Sequence, residues 1–192
     1  MPAPEKPAGD NHGRVSPALS QANAPADTIA SRKIAILAAD GVDSGDVAAV
    51  GEALTGAGAI CEVVAARDGT LEAANGGPIE VTRALPTVAS VLYDAVVLPG
   101  GERAAQTLSG DGDAVHFIAE AFKHGKPVGA VGAGADLLQA ARLRGVRPNG
   151  VSADHGVVVA ASAAYHDEFS RHLIEAIARH RHWDRAVDAV PA

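Results

Sequence analysis

Four short apolar runs constrain what this chain can fold into more than any other feature. They are Lys33-Ile34-Ala35-Ile36-Leu37-Ala38, Ile60 to Ala66, Asp94-Ala95-Val96-Val97-Leu98 and Pro127-Val128-Gly129-Ala130-Val131. Each is bounded by Gly, Pro or Asp and is too short to be the core of a helix. Runs that are apolar on both faces, rather than alternating, read as strands buried on both sides of a parallel sheet. A later run, Val157-Val158-Val159-Ala160, has the same character.

Between these runs the apolar residues fall at helical spacing. Residues 44–57 carry Val47, Val50 and Leu54, and stop near Gly56 and Gly58. Residues 112–124 carry Val115, Ile118, Ala119 and Phe122 on one face, residues 135–142 follow a tight glycine turn, and residues 165–182 place Phe169, Leu173, Ile177 and Ala178 inward. Residues 70–83, with Asn75-Gly76-Gly77, read as a small hairpin or excursion. Strands alternating with helices require right-handed crossovers and a sheet covered on both faces. The expected class is α/β, a flavodoxin-like doubly wound parallel sheet sandwich. Aromatics are only 3% of the residues against 47% hydrophobic, so the core must be built from Ala, Val, Leu and Ile. Residues 1–30 are rich in Pro, Ala, Asn, Asp and Ser without an apolar period, and read as a disordered or extended linker. One domain is expected over 31–185, with a C-terminal tail at 186–192.

Sixteen basic residues against 23 acidic ones leave a formal charge of −7. That balance disfavours nucleic acid and anionic membranes as partners, because both need a basic surface. Cys61 is the single cysteine, so a disulfide within the chain and a paired-cysteine metal site are excluded. The count fits a cytoplasmic location. No secretory signal and no membrane-spanning run is expected.

In such a sheet, ligands bind at the carboxyl ends of the strands. Asp40, Gly100, Gly101 and His155 are placed there as a possible pocket. Gly132-Ala133-Gly134, between a strand and a helix, has the form of a nucleophile elbow. There a Cys or Ser at the central position would be held at a helix N-terminus. Glycine at 132 supplies the turn without the reagent. The turn lacks the third glycine of a dinucleotide fingerprint and the Lys-Ser/Thr of a P-loop. Among Asp40, Asp43 and Asp46, one is expected to cap the following helix, with Ser44 an equal candidate. Cys61 reads as a small buried hydrophobe. The late histidines, His155, His166, His172, His180 and His182, read mainly as solvated helix residues, and no metal site is expected.

Taken together, Lys33-Ile34-Ala35-Ile36-Leu37, Ala39-Asp40-Gly41-Val42, Val97-Leu98-Pro99-Gly100-Gly101, Gly125 to Val131 and Asp154-His155-Gly156-Val157-Val158 resemble the class I glutamine amidotransferase-like superfamily. In its active members the nucleophilic cysteine stands where Gly132 stands, and an acidic residue on the first helix supports it, the position of Asp46. The resemblance therefore implies a vestigial elbow at Gly132, Ala133, Gly134 and Asp46, with no catalytic residue. A narrower resemblance, to the C-terminal domains of large-subunit (clade 2) catalases, is carried by Ser16-Pro17-Ala18-Leu19-Ser20, by Arg32 to Leu37 with Asp40-Gly41-Val42-Asp43, by His180-Arg181-His182-Trp183-Asp184-Arg185 and by Val190-Pro191-Ala192.

That resemblance implies a non-catalytic domain, without cofactor of its own, in a homotetrameric enzyme that carries haem b in its core. It implies stability or assembly roles in hydrogen-peroxide defence, contacts with the catalase core and neighbouring subunits, and chaperone-like action on unfolded clients. The family's proximal haem tyrosine follows an arginine four residues earlier. Here Ala89 and Ala161 occupy that spacing before Tyr93 and Tyr165. The alternative reading is a free-standing member of the superfamily, either a small-molecule sensor or a hydrolase or glyoxalase with an unrecognised nucleophile.

Overall fold

The computed structural model describes residues 16–19, 27–143 and 148–186. A seven-stranded sheet forms its centre, in the order β5-β2-β1-β6-β7-β9-β8. The strands are β1 (Lys33–Leu37), β2 (Ile60–Ala65), β5 (Arg83–Ala84), β6 (Ala95–Leu98), β7 (Val128–Val131), β8 (Val151–Asp154) and β9 (Val157–Ala160). All neighbours pair in parallel except β8, which runs antiparallel to β9. A separate antiparallel pair, β3 (Gly69–Glu72) with β4 (Pro78–Val81), is the hairpin expected from Asn75-Gly76-Gly77. The α/β class and the parallel, doubly covered sheet are thus as the sequence reading expects.

Period-two alternation divides each strand between two cores. In β1, Ile34 and Ile36 point to a cluster with Val50, Leu54, Phe169, Leu173 and Ile177. Ala35 and Leu37 point to the other, with Val64, Val96, Leu98, Phe117, Ile118 and Leu138. The first cluster is covered by α1 (Ser44–Gly56) and α5 (His166–Ala178), the second by α2 (Glu102–Ser109), α3 (Gly112–Lys123) and α4 (Ala135–Ala140). Helix starts follow side-chain chemistry: the Asp43 carboxylate accepts from Gly45 N at 2.8 Å and Asp46 N at 3.1 Å, and Asp111 does the same for α3. Of the candidates for the α1 cap, Asp43 takes the role.

The structure departs from the sequence expectation in several places. Helix α2 and strand β8 are additional elements. The last helix, expected over 165–182, ends at Ala178, and His180 adopts φ +66°. The chain then turns back across the molecule, so His180 and His182 are not solvated helix residues. His182 is only 7% exposed and faces Ala176 O at 3.1 Å. Ile29, within the expected linker over 1–30, is 2% exposed and belongs to the core beside Leu54 and Ile177. Pro17–Leu19 form one 3₁₀ turn. Residues 1–15 and 20–26 of the expected linker, and the tail from 187, lie outside the described residues.

Candidate functional site

The carboxyl ends of β1, β6 and β7 bring together the loop after β1, Gly100-Gly101, and the Gly132–Gly134 turn. Gly132 has φ +52°, the left-handed conformation that side chains resist and that an elbow requires. A Cβ added there would meet only Ala161 O, at 3.9 Å. The turn therefore has the backbone geometry of an elbow and room for a side chain at position 132. Gly134 is different: a Cβ would run into Leu98 O and come within 2.6 Å of Pro99 O, so this glycine serves the close approach of two strand ends.

Asp46, on the first turn of α1, is 3% exposed. One carboxylate oxygen accepts from Gly100 N at 2.7 Å, and the other meets His166 Nε2 at 2.6 Å. Both oxygens of a buried carboxylate are thereby engaged, which is the condition for keeping such a group inside. The backbone reinforces this arrangement, since Asp43 N donates to Gly100 O at 2.9 Å. Gly101, at φ +110°, sits so close to Gly41 O that no side chain fits. Asp40 is turned to another task. Its carboxylate accepts from Glu72 N at 2.9 Å and holds the β3–β4 hairpin over the loop.

The expected pocket of Asp40, Gly100, Gly101 and His155 is therefore not one site. His155 precedes β9, whose first residue Val157 pairs with Val128, the first residue of β7. It lies at the amino end of the sheet, across the molecule from Gly132. Its Nδ1 meets Asp184 at 2.7 Å, and that hydrogen bond holds the Asp184 carboxyl below its usual range. His166 takes part in the elbow instead, at the start of α5. Nothing in the local sequence separates it from the other late histidines; only the packing of α5 beside α1 does.

Chemically, the turn presents Gly132 where a side chain would stand, and glycine brings no nucleophile there. Cys61 is on β2, and burial pushes its thiol up, away from reactivity, with a smaller opposing effect from Thr55. Haem does not fit the tyrosines of this chain. Tyr93 is buried and donates to Glu62 at 2.7 Å, and burial together with that carboxylate pushes its phenol well up. Tyr165 donates to Asn149 O at 3.2 Å. Among the described residues, no group of three or more His, Cys, Asp or Glu is placed to hold a metal ion, and no helix is long and apolar enough to cross a membrane.

Comparison with known proteins then decides the family. The model of the C-terminal domain found in long catalases matches residues 30–187. The chain belongs to this family. As a catalase C-terminal domain it is similar to catalase HPII of Mycobacterium avium, 47% identical over the whole of this chain and 28% of that protein. It is also similar to catalase-1 of Neurospora crassa, 36% identical over 94% of this chain and 27% of that protein. The domain thus spans about a quarter of the length of the curated relatives it matches. In structure it resembles DJ-1beta of Drosophila melanogaster (TM-score 0.71, 18% identity, 78% of this chain and 91% of that one). A DJ-1 superfamily protein of Salmonella typhimurium gives TM-score 0.70 at 22% identity, over 77% and 94% of the two chains. These likenesses show the same fold.

Proposed function

We propose that this catalase C-terminal domain is a non-catalytic accessory of a haem-bearing catalase and supports that enzyme's stability and assembly in hydrogen-peroxide defence. The observation that carries the reading is Gly132: the elbow retains φ +52° and open space, yet the residue brings no nucleophile. Asp46, the residue placed to assist one, is instead a buried tie between α1, Gly100 and α5. A fold whose chemistry has been replaced by internal bonding suits a scaffold. The long relatives supply the partner, a catalase core and its neighbouring subunits, and the cytoplasm is the proposed setting. A chaperone-like action on unfolded clients belongs to the same proposal.

Removal of the domain from the long catalase that carries it tests the stability half. The expected result is an unchanged kcat per haem with a half-life of thermal inactivation shortened at least several-fold. An unchanged half-life sinks this half. For the chaperone half, the enzyme with and without the domain is mixed at equal mass with a heat-labile client. Equal aggregation in both mixtures removes it.

A further inference from the structure

Four large hydrophobic residues stand exposed among the described residues: Ile60 (49%), Val91 (76%), Leu92 (55%) and Trp183 (63%). All four lie at the amino end of the parallel sheet, opposite the elbow. Ile60 is the first residue of β2. Val91 and Leu92 form the turn before β6, tied to the approach to β7 because Lys126 Nζ donates to Ser90 O at 2.5 Å. Trp183 lies against Gly125, where a Cβ would come within 3.4 Å of its ring. Scattered single hydrophobics need no explanation, but their collection on one end of a molecule does.

The same end carries a group of cationic side chains around Asp94, in a chain whose formal charge is −7. Arg32 and His180 both approach one oxygen of Asp94, at 3.3 Å and 3.5 Å. Arg181 stands beside them, its guanidinium donating to His180 O at 2.9 Å, and Lys126 is buried next to this group. Neighbouring Lys33 is matched by Glu62 at 3.0 Å, but Arg32, Lys126 and Arg181 share the Asp94 carboxylate, which the His180 imidazole also faces. Burial first, and then the Arg181 charge, lowers Lys126 to about 8, and the same two causes lower His180. The chain also enters the domain at this end. Arg32 N donates to Ile29 O, and Ile60 N donates to Arg32 O.

We infer that the amino end of the sheet, with Trp183, Val91, Leu92 and Ile60 as apolar anchors and Arg32 and Arg181 as cations, is the face that docks on the haem-bearing part of a long catalase, against carboxylates set among apolar groups. The inference rests on the proposed accessory role and adds where the contact lies. A partner joined through the segment leading to Ile29 is held near this face, at a high effective concentration that favours a modest interface. Exposed aromatic residues and arginines are the side chains that carry such interfaces.

The test is hydroxyl-radical footprinting of the haem-bearing enzyme, read at Trp183 and Leu92. The reference is the same enzyme with Val91→Asp and Arg181→Glu, one change at an exposed position and one at the cation cluster. Trp183 in the unaltered enzyme is expected to label at least fivefold more slowly than in the double variant. A second variant, Val91→Asp alone, leaves the cation cluster intact and is expected to raise Trp183 labelling by at least twofold. Equal labelling of Trp183 in the unaltered enzyme and both variants, in a large haem-bearing species, overturns the docking face while leaving the accessory role standing. A native species of only 19.3 kDa without haem overturns both.

Discussion

Gly132 and Gly134 differ in what a side chain would cost, and the difference is testable. Gly132→Cys forces a β-carbon into φ +52° but meets no neighbour closer than 3.9 Å, so the domain is expected to fold with a loss of about 1–2 kcal/mol. Gly134→Ala keeps an ordinary φ of −56° but drives a methyl into Leu98 O and Pro99 O, and is expected to cost about 3 kcal/mol or more. Urea denaturation of the two variants reads the order, and a cysteine costlier than the alanine contradicts the geometry. Lys126 supplies a pH signature. Its folded-state value of about 8 lies below its ordinary 10.5. Between these values the folded protein has released a proton that the unfolded chain still holds. Stability from this residue therefore rises with pH from about 8 to about 10.5. Lys126→Met is expected to flatten that rise in denaturation series across the window. A slope unchanged by the substitution assigns it elsewhere.

At the scale of elements, the segment after α5 does more than end the chain. Arg185 donates to Phe122 O at 3.1 Å, Lys126 O at 2.9 Å and His155 O at 2.6 Å, and lies over the Phe122 ring at 4.4 Å. Burial lowers it to about 10, well within the charged range at neutral pH. Arg185→Ala strips three carbonyls of a charged donor and is expected to cost about 2–4 kcal/mol. Hydrogen exchange should quicken at the starts of β7 and β9; exchange confined to residues 179–186 would mean that the segment is merely laid on the surface. This segment was legible in the sequence only as a resemblance. Strands β1, β6, β7 and β9 announce themselves because burial on both faces demands unbroken apolar runs. Strand β8 does not, because Ser152, Ala153 and Asp154 are exposed on the sheet's outer strand. Without β8, nothing shows that Asp154-His155-Gly156 is the turn between two antiparallel strands, and His155 is expected at the carboxyl ends although it stands just before β9. Helix α2 is hidden for a related reason: its inward residues are Ala104, Ala105 and Leu108, too small a stripe to stand out after Gly100-Gly101. That Gly132–Gly134 turn the chain from β7 into α4 was readable, and the resemblance put Asp46 on the first helix. The bond from Asp46 to His166 joins residues 120 apart in the chain, and only the packing of α5 on α1 creates it.

For the molecule as a whole, the two ends of the sheet have parted in character. At the carboxyl ends, where this architecture ordinarily binds ligands, Asp46, Asp43 and Asp40 are engaged in internal hydrogen bonds. The amino end carries the exposed hydrophobics found among the described residues and the cationic side chains around Asp94. A domain built this way is expected to give no peroxide turnover on its own, measured as oxygen release from the 192-residue chain, and turnover at a catalase-like rate would contradict the misfit of both tyrosines to haem. The central claim, an accessory domain of a haem-bearing enzyme, is tested most directly by the native mass and haem absorbance of the species that carries residues 165–186 in its source cells, detected with an antibody to that segment. The account predicts one species far larger than 19.3 kDa with a haem Soret band that co-elutes; a species of 19.3 kDa without haem would contradict it.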